Sequence, residues 1–158
     1  MKLFLKVAQT IGRQPWLPKA GPYYAKVDSA VQRVTGGRFS PMRLAGLTSI
    51  LLTTTGRKTG LPRSSALLAV PDGGSLIVIG SNFGKQGHPA WSANLKTNPE
   101  ATVHLRGHAF PVTATLLDGE AREAAWQTAT RTWPAFDVYA ARAGREIRVF
   151  RVSLREGQ

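Results

Sequence analysis

Two predicted strands are joined by the stretch Thr53-Thr54-Thr55-Gly56-Arg57-Lys58-Thr59-Gly60-Leu61-Pro62-Arg63. Residues 50–55 are apolar or β-branched and stop at a glycine, which is the pattern of a strand that ends in a turn. Residues 64–80 begin and end with apolar runs that are separated by Pro71-Asp72-Gly73-Gly74, a strong turn signal. Because the two runs flank a tight turn, this segment is predicted to form a β-hairpin.

The remaining elements are predicted from spacing and from helix-breaking residues. A second hairpin is expected over 101–117, turning at Arg106-Gly107-His108, and a last strand over 147–154. Helices are expected from Pro22 to Gly36, over 88–98, from Asp118 onward and after Pro134. Hairpins make a sheet mainly antiparallel, and closure removes exposed strand edges, so the order of elements predicts a six-stranded α+β barrel.

Composition narrows the function. The 158 residues suit one domain, and 21 Lys plus Arg against 9 Asp plus Glu give a formal charge of +12. This charge favours an anionic partner: a nucleic acid, a membrane surface, or a small molecule with phosphate or carboxylate groups. The chain has no cysteine, which excludes disulfides, cysteine-ligated zinc, iron–sulfur clusters and thiol nucleophiles.

The N-terminal third carries much of the charge. Residues 1–46 hold eight cations and one acid, Asp28, so they contribute +7. The first residues are expected to form a short basic amphipathic helix, which packs on the body of the protein or rests on an anionic membrane surface. We expect a cytoplasmic protein, with peripheral contact at the inner face of the cell membrane as an open alternative.

The stretch quoted first has the chemistry of a phosphate site. Arg57, Lys58 and Arg63 are cations, threonines flank them, and the glycines are expected to leave backbone N–H groups open. It is not a P-loop, because that motif needs a glycine directly before the lysine. An exposed polar turn is the alternative. The 43 residues between Asp28 and Asp72 hold six cations and no acid, which favours an anion site.

Two further segments are candidate parts of a site. Residues 80–94 run from a strand through a glycine-flanked polar loop into a helix N-terminus, where free N–H groups can hold an anion or a polar ring edge. Residues 133–139 place Trp133, Phe136 and Tyr139 on one helical face. Core packing is the alternative for Trp91 and for this aromatic face.

Several other sites are not indicated. The three histidines, His88, His104 and His108, have no carboxylate at metal-ligand spacing, so no metal is expected. No Gly-x-Ser-x-Gly elbow is present, and no Gly-x-Gly-x-x-Gly opens a helix after a strand.

These stretches together resemble the deazaflavin-dependent nitroreductase family. The resemblance rests on 52–63, on the Asp72-Gly73-Gly74 turn, on Gly80-Ser81-Asn82, on 88–99 with its His88-Pro89-Ala90-Trp91 opening, and on 133–147. It covers residues 45–154. It implies a single reductase domain over 1–158, with a split β-barrel core over 45–154 and a basic, partly helical extension over 1–40. The N-terminal 40 residues add little to it.

The resemblance also implies coenzyme F420, an 8-hydroxy-5-deazaflavin with a phosphate and an oligoglutamate tail. The phosphate and tail would be held by Arg57, Lys58 and Thr59. The coenzyme would lie beside the strand residues Arg63, Ser64, Ser65, Ala66, Leu67 and Leu68. The ring would be surrounded by Ile79, Gly80, Ser81, Asn82, Ala90, Trp91, Ser92, Ala93 and Asn94, with Phe136 closing over it.

The implied reaction is hydride transfer from the reduced coenzyme to a quinone-like or nitroaromatic acceptor. Ser81 and Tyr139 are the candidate catalytic residues, and Trp133, Phe136 and Tyr139 would contact the substrate. Because the cofactor carries the reaction, the fold has only to orient it and keep the site dry. Two other hypotheses remain: an FMN-binding split-barrel oxidoreductase and a basic nucleic-acid-binding barrel. Nucleic acid is not expected, because the cations are not interleaved with aromatics on a strand face.

Overall fold

The computed structural model describes residues 2–156. The helices are α1 (Lys2–Gly12), α2 (Leu17–Thr35), the short α3 (Pro41–Leu44), α4 (Ala90–Thr97), α5 (Gly119–Thr132) and α6 (Ala135–Ala143). The strands are β1 (Thr48–Thr55), β2 (Pro62–Asp72), β3 (Ser75–Ile79), β4 (Glu100–Leu105), β5 (His108–Leu116) and β6 (Val149–Leu154). A 3-10 turn, Asn82–Gly84, follows β3. No described helix is both long and apolar enough to cross a membrane.

The six strands form a closed barrel in the order β1-β2-β3-β6-β5-β4, with every pairing antiparallel. The predicted α+β barrel is therefore confirmed. Both predicted hairpins are present: β2 turns into β3 at Gly73-Gly74, and β4 turns into β5 at Arg106-Gly107. The last strand, β6, lies between β3 and β5, so the end of the chain completes the barrel wall.

The helix predicted to begin at Pro22 begins five residues earlier. Helix α2 starts at Leu17 and encloses Pro22, while Pro18 takes the first-turn position that proline favours. Its end was predicted correctly, because Gly36 adopts the left-handed conformation that caps a helix (φ 59°). Strand β6 begins at Val149, two residues after the predicted start.

The barrel wall has an apolar layer on each side. Inside, one cluster of buried side chains is drawn from all six strands, and helix α4 adds Trp91 and Leu95 to it. Outside, a second cluster joins β3 and β6 to helices α5 and α6. Because side chains alternate across a strand, Val78 faces the inner cluster while Ile77 and Ile79 face the outer one. Strand β3 therefore fixes the helices to the barrel.

Candidate functional site

A cavity of about 870 Å³ lies between the barrel and its helical cover. It runs along β2 and is closed by residues of α1, α2 and α6 and of the loop after β3. Its volume is within the roughly 300–1,000 Å³ of small-molecule sites, which are mostly apolar with a few placed polar groups. Serine hydroxyls of α2, β1 and β2 supply polar groups here.

Twelve of the residues predicted for the site line this cavity. They are Ser64, Ser65, Ala66, Leu67, Leu68, Ile79, Ser81, Asn82, Trp91, Trp133, Phe136 and Tyr139. The other predicted residues lie outside its walls: Arg57, Lys58, Thr59, Arg63, Gly80, Ala90, Ser92, Ala93 and Asn94. The site as predicted from the sequence thus divides into a cavity and a neighbouring polar region.

The polar region is centred on a compact loop between β1 and β2. The Gly56 N–H donates to the Leu61 carbonyl at 2.8 Å, and the Gly60 N–H donates to the Gly56 carbonyl at 2.7 Å. A Cβ on Gly56 would lie 3.1 Å from the Leu61 oxygen, so this close turn requires glycine. The expectation that the glycines leave their N–H groups open was wrong, because both are used within the turn.

Asn94 attaches this loop to helix α4. Its side chain is buried, and its Oδ1 accepts the Arg57 backbone N–H at 3.1 Å and the Arg57 guanidinium at 3.3 Å. Its Nδ2 donates to Thr54 Oγ1 at 3.0 Å. One amide therefore fixes the start of the loop against both the barrel and the helix.

The exposed cations of this loop and of the start of β2 have no carboxylate partner within residues 2–156. The ion pairs of this part of the chain are Arg122–Glu146, Arg151–Asp72 and Arg155–Glu100. Arg57, Lys58 and Arg63 take part in none of them. Each is exposed, so their charges are available to an anion.

A second group of cations lies by the loop after β3. Arg145 donates to the carbonyls of Gly80, Ser81 and Gly87 at 3.1 to 3.3 Å, and to His88 Nδ1 at 3.1 Å. Burial lowers the pKa of His88, and the neighbouring cations, led by Arg148, lower it further. His88 is therefore a neutral hydrogen-bond acceptor here, and the field around it favours an anion.

The aromatic wall of the cavity is part of the core. Phe136 and Tyr139 are buried, and their rings meet edge to face at 6.3 Å between centroids. Trp91 is buried against Phe150 inside the barrel and also contributes to the cavity wall. The two interpretations of these aromatics, core packing or site wall, are therefore compatible, since each ring contributes to both.

Comparison with known proteins places the chain in a family. A family model described as F420H(2)-dependent quinone reductase matches residues 24–154. The chain belongs to the F420H(2)-dependent quinone reductase family. It is an oxidoreductase that works with coenzyme F420, and quinone-like molecules are its class of acceptor.

Individual relatives agree with this assignment. A Mycobacterium tuberculosis protein named F420H(2)-dependent quinone reductase is 34% identical over 100 residues, which are 63% of this chain and 67% of that protein. A solved F420-H2 dependent reductase, FDR-A, is 36% identical with a TM-score of 0.61, covering 66% of this chain and 93% of the other. A second solved structure, described as a domain-swapped dimer, is 30% identical with a TM-score of 0.63, covering 81% and 97%.

The residues of this F420H(2)-dependent quinone reductase family member fit such a coenzyme. An apolar cavity with aromatic walls suits a flat ring, and exposed cations that form no ion pair within the described part of the chain suit a phosphate and a chain of carboxylates. The two regions are continuous, because the β1–β2 loop over residues 56–61, here called the basic loop, leads through Arg63 at the start of β2 to Ser64 and Ser65 of the cavity wall.

Sequence reasoning missed the N-terminal contribution to this site. The family match begins at residue 24, and the cavity walls include Asp28 and Ser29 of α2. Asp28 is buried, and its carboxylate accepts hydrogen bonds from Gln32, Ser40 and Ser49 at 2.9 to 3.1 Å. The sequence contained a signal for this, since Asp28 is the single acid of residues 1–46, which hold eight cations.

Helix α2 also covers an open edge of the barrel. Strand β3 pairs with β2 only from Ala69 to Asp72, so the earlier part of β2 has no strand on that side. There the Ala66 N–H donates to Ser29 Oγ at 2.9 Å. The Ser29 hydroxyl of α2 therefore takes the place of a strand partner beside the early part of β2.

Helix α1 is held by the aromatic wall. The Tyr139 hydroxyl donates to the Gly12 carbonyl at 2.8 Å, and the Trp133 ring packs against Gly12 so closely that no side chain fits there. Burial raises the pKa of the Tyr139 phenol, against smaller opposing effects of Trp133 and Arg142. The phenol is therefore protonated at neutral pH and its proton is engaged by α1.

Proposed function

We propose that Arg57, Lys58, Thr59 and Arg63 bind the phosphate and glutamate tail of coenzyme F420, while the cavity holds its ring and the acceptor. One observation carries this assignment: three cations with no carboxylate partner among residues 2–156 lie on the β1–β2 loop and at the start of β2, the strand that lines the apolar cavity. Residues 1–158 would then act as one reductase domain, in which the segment 1–40 covers the site of the 45–154 core.

The part of β2 that has no strand partner on one side suits the polar edge of the ring. Ala66 directs its N–H away from β1, and strand periodicity directs the backbone groups of Ser64 and Leu68 the same way. The groups of Ser64 and Leu68 would orient the ring from one side, since the Ala66 N–H is already bonded to Ser29 Oγ. The cavity-wall residues that would enclose the ring are Ile79, Ser81, Asn82, Trp91 and Phe136, and the predicted residues next to them in sequence would support that wall from outside: Gly80, Ala90, Ser92, Ala93 and Asn94.

The coenzyme, when bound, supplies a hydride, so the protein has to position two flat molecules and exclude water. Trp133, Phe136 and Tyr139 provide the apolar wall for the acceptor. Ser81 is buried at the cavity wall, and its hydroxyl would hydrogen-bond the ring edge or the acceptor. Because the Tyr139 proton is engaged by Gly12, this geometry favours a positioning role for Tyr139 over proton donation.

Titration of the purified protein with coenzyme F420, followed by coenzyme fluorescence, tests this assignment. We expect saturable binding at micromolar coenzyme that weakens with salt, and no binding would overturn the proposal. A yellow protein that releases FMN on denaturation would indicate the FMN-dependent alternative instead. An acceptor screen with the reduced coenzyme should show turnover of quinones, and adding nitroaromatics tests whether those are also reduced.

Peripheral contact with a membrane surface is a separate proposal. Helix α1 packs Leu5 and Ala8 against the protein but exposes Leu3, Phe4 and Val7 beside lysines. An exposed apolar face with flanking cations is the pattern of a helix that lies on anionic lipid. Phe4→Glu should abolish sedimentation with anionic vesicles, whereas Val34→Glu, at another exposed apolar position, should not. Equal loss in both, or binding to neutral vesicles alone, would contradict it.

A further inference from the structure

The loop after β3 holds a phenylalanine in an unusual backbone conformation. Asn82, Phe83 and Gly84 all have positive φ, at 48°, 56° and 81°. Glycine adopts this region freely, and a bulky aromatic residue there is strained. Such strain persists only where the surroundings fix the residue, and it concentrates at ligand sites.

The surroundings of the Phe83 ring fix it from two sides. On one side is Gly21 of helix α2, where a Cβ would lie 2.6 Å from the ring, so only glycine fits. On the other side is Tyr139, whose ring meets Phe83 edge to face at 6.2 Å. A Cβ on Gly84 would lie 3.1 Å from the Tyr139 backbone, so the loop itself is pressed against α6.

Phe83 differs from the buried aromatics of the cavity wall. Trp133 at the end of α5 and Phe136 and Tyr139 of α6 are buried in the core, whereas Phe83 is half-buried on a loop. Its ring enters the cavity beside Ser81 and Asn82 and ends against α2. A single side chain on this loop therefore forms part of the cavity wall between helices α2 and α6.

We propose that Phe83 is the residue that determines acceptor size, admitting compact flat quinones and excluding quinones that carry a bulky ring substituent. Gly21 is its partner, because the absence of a side chain there gives the ring its place. This rests on the proposed function for the class of acceptor, but the sorting itself depends only on the shape of the cavity.

Quinone binding to the coenzyme-free protein provides the test. Trp16, Trp91 and Trp133 line the cavity, so a bound quinone should quench tryptophan fluorescence. The probes are 1,4-naphthoquinone and 2-phenyl-1,4-naphthoquinone. In Phe83→Ala the ratio of the Kd for the bulky probe to the Kd for the compact one should fall by about tenfold or more, the scale on which apolar pockets discriminate size. Phe83→Gly should show the same fall, with a melting temperature above that of Phe83→Ala, since glycine relieves the backbone strain while both variants lose the ring.

Phe110→Ala is the matched control, because Phe110 lies on β5 outside the cavity walls, and its Kd ratio should equal that of the unmodified protein. Gly21→Ala should weaken both probes, because the added methyl pushes the ring into the cavity. In the Phe83→Ala background the same change should have little effect. The proposal would be overturned if folded Phe83→Gly kept the Kd ratio of the unmodified protein. It would also be overturned if Gly21→Ala weakened binding equally in the unmodified protein and in Phe83→Ala. If the unmodified protein and its variants show the expected Kd ratios but do not bind the coenzyme, the proposed function fails and the sorting role survives.

Discussion

The two halves of the site are built in opposite ways. The basic loop presents exposed cations held at their base by one buried amide, Asn94, and contributes almost nothing to the core. The aromatic wall consists of buried rings that belong to the outer core cluster. The difference teaches that affinity for the charged tail and stability of the fold are separable in this protein, while the shape of the ring pocket and stability are not.

The largest effect is expected where a ring serves both the core and the site. Phe136→Ala should lower the free energy of unfolding by about 3–5 kcal/mol, because it opens a cavity among packed side chains. Urea unfolding followed by circular dichroism measures it. Phe39→Ala, which truncates a half-exposed phenylalanine, is the control and should cost far less. An equal loss in both variants would mean that the aromatic wall is not part of the core.

The basic loop should behave in the reverse manner. Arg57→Ala with Lys58→Ala should weaken coenzyme binding by roughly 100-fold, since hydrogen bonds from charged groups contribute about 1.5–3 kcal/mol each. The free energy of unfolding should change by only about 0.5 kcal/mol, as for most surface substitutions. Lys2→Ala with Lys6→Ala removes the same charge elsewhere and should leave the fluorescence titration almost unchanged. If coenzyme affinity fell equally in the two double variants, the loop would act only through the net charge of the protein.

Asn94 joins the two halves, so its removal should affect both moderately. Asn94→Ala leaves the Arg57 N–H and Thr54 hydroxyl without their partner, which should cost about 1–3 kcal/mol of stability. Coenzyme affinity should fall less than in the double charge variant, because the cations remain. Asn98→Ala, at the end of the same helix, is the control. A loss of stability without any change in coenzyme affinity would show that binding does not depend on the attachment of the loop to α4.

The smallest effect concerns His88. Its pKa is lowered in the folded protein, so the unfolded chain binds more protons as the pH falls below about 6.5, and stability declines over that window. His88→Gln should remove this contribution and leave stability above pH 7 unchanged. Protonated His88 would also add a positive charge near the site, so coenzyme binding should tighten toward pH 5.5 in the unmodified protein only. Thermal melts and titrations at pH 5.5 and 7.5 measure both effects, and identical pH profiles would contradict this role.

The local parts of the fold were predictable because their signals are local. The turns at Gly73-Gly74 and Arg106-Gly107 fix both hairpins, and the basic loop is recognisable from its residue types alone. The pairing of β6 with two strands that precede it by tens of residues carries no such signal. The same holds for the cover of the cavity, since Gly12 and Tyr139 meet across 127 residues of sequence.

Phe83 illustrates why the remainder of the site was not predictable. Its residue type suggests an ordinary apolar side chain, and its role follows only from a positive φ and from the glycine it faces on a distant helix. The N–H groups of Gly56 and Gly60 were predicted to be open to a ligand. Both instead donate to carbonyls within the turn, which the residue types alone do not indicate.

The position of β6 in the wall has a consequence for how the protein is made. Strands β3 and β5 each keep an unpaired edge until Val149–Leu154 has left the ribosome and inserted between them. Exposed strand edges favour association between chains, and contacts between distant segments form slowly. A nascent copy whose first five strands form before β6 is available therefore has an open barrel, and its wall beside Ile79 has no partner. When many ribosomes translate one mRNA, this protein should aggregate more than a barrel in which each strand pairs with its neighbours in sequence.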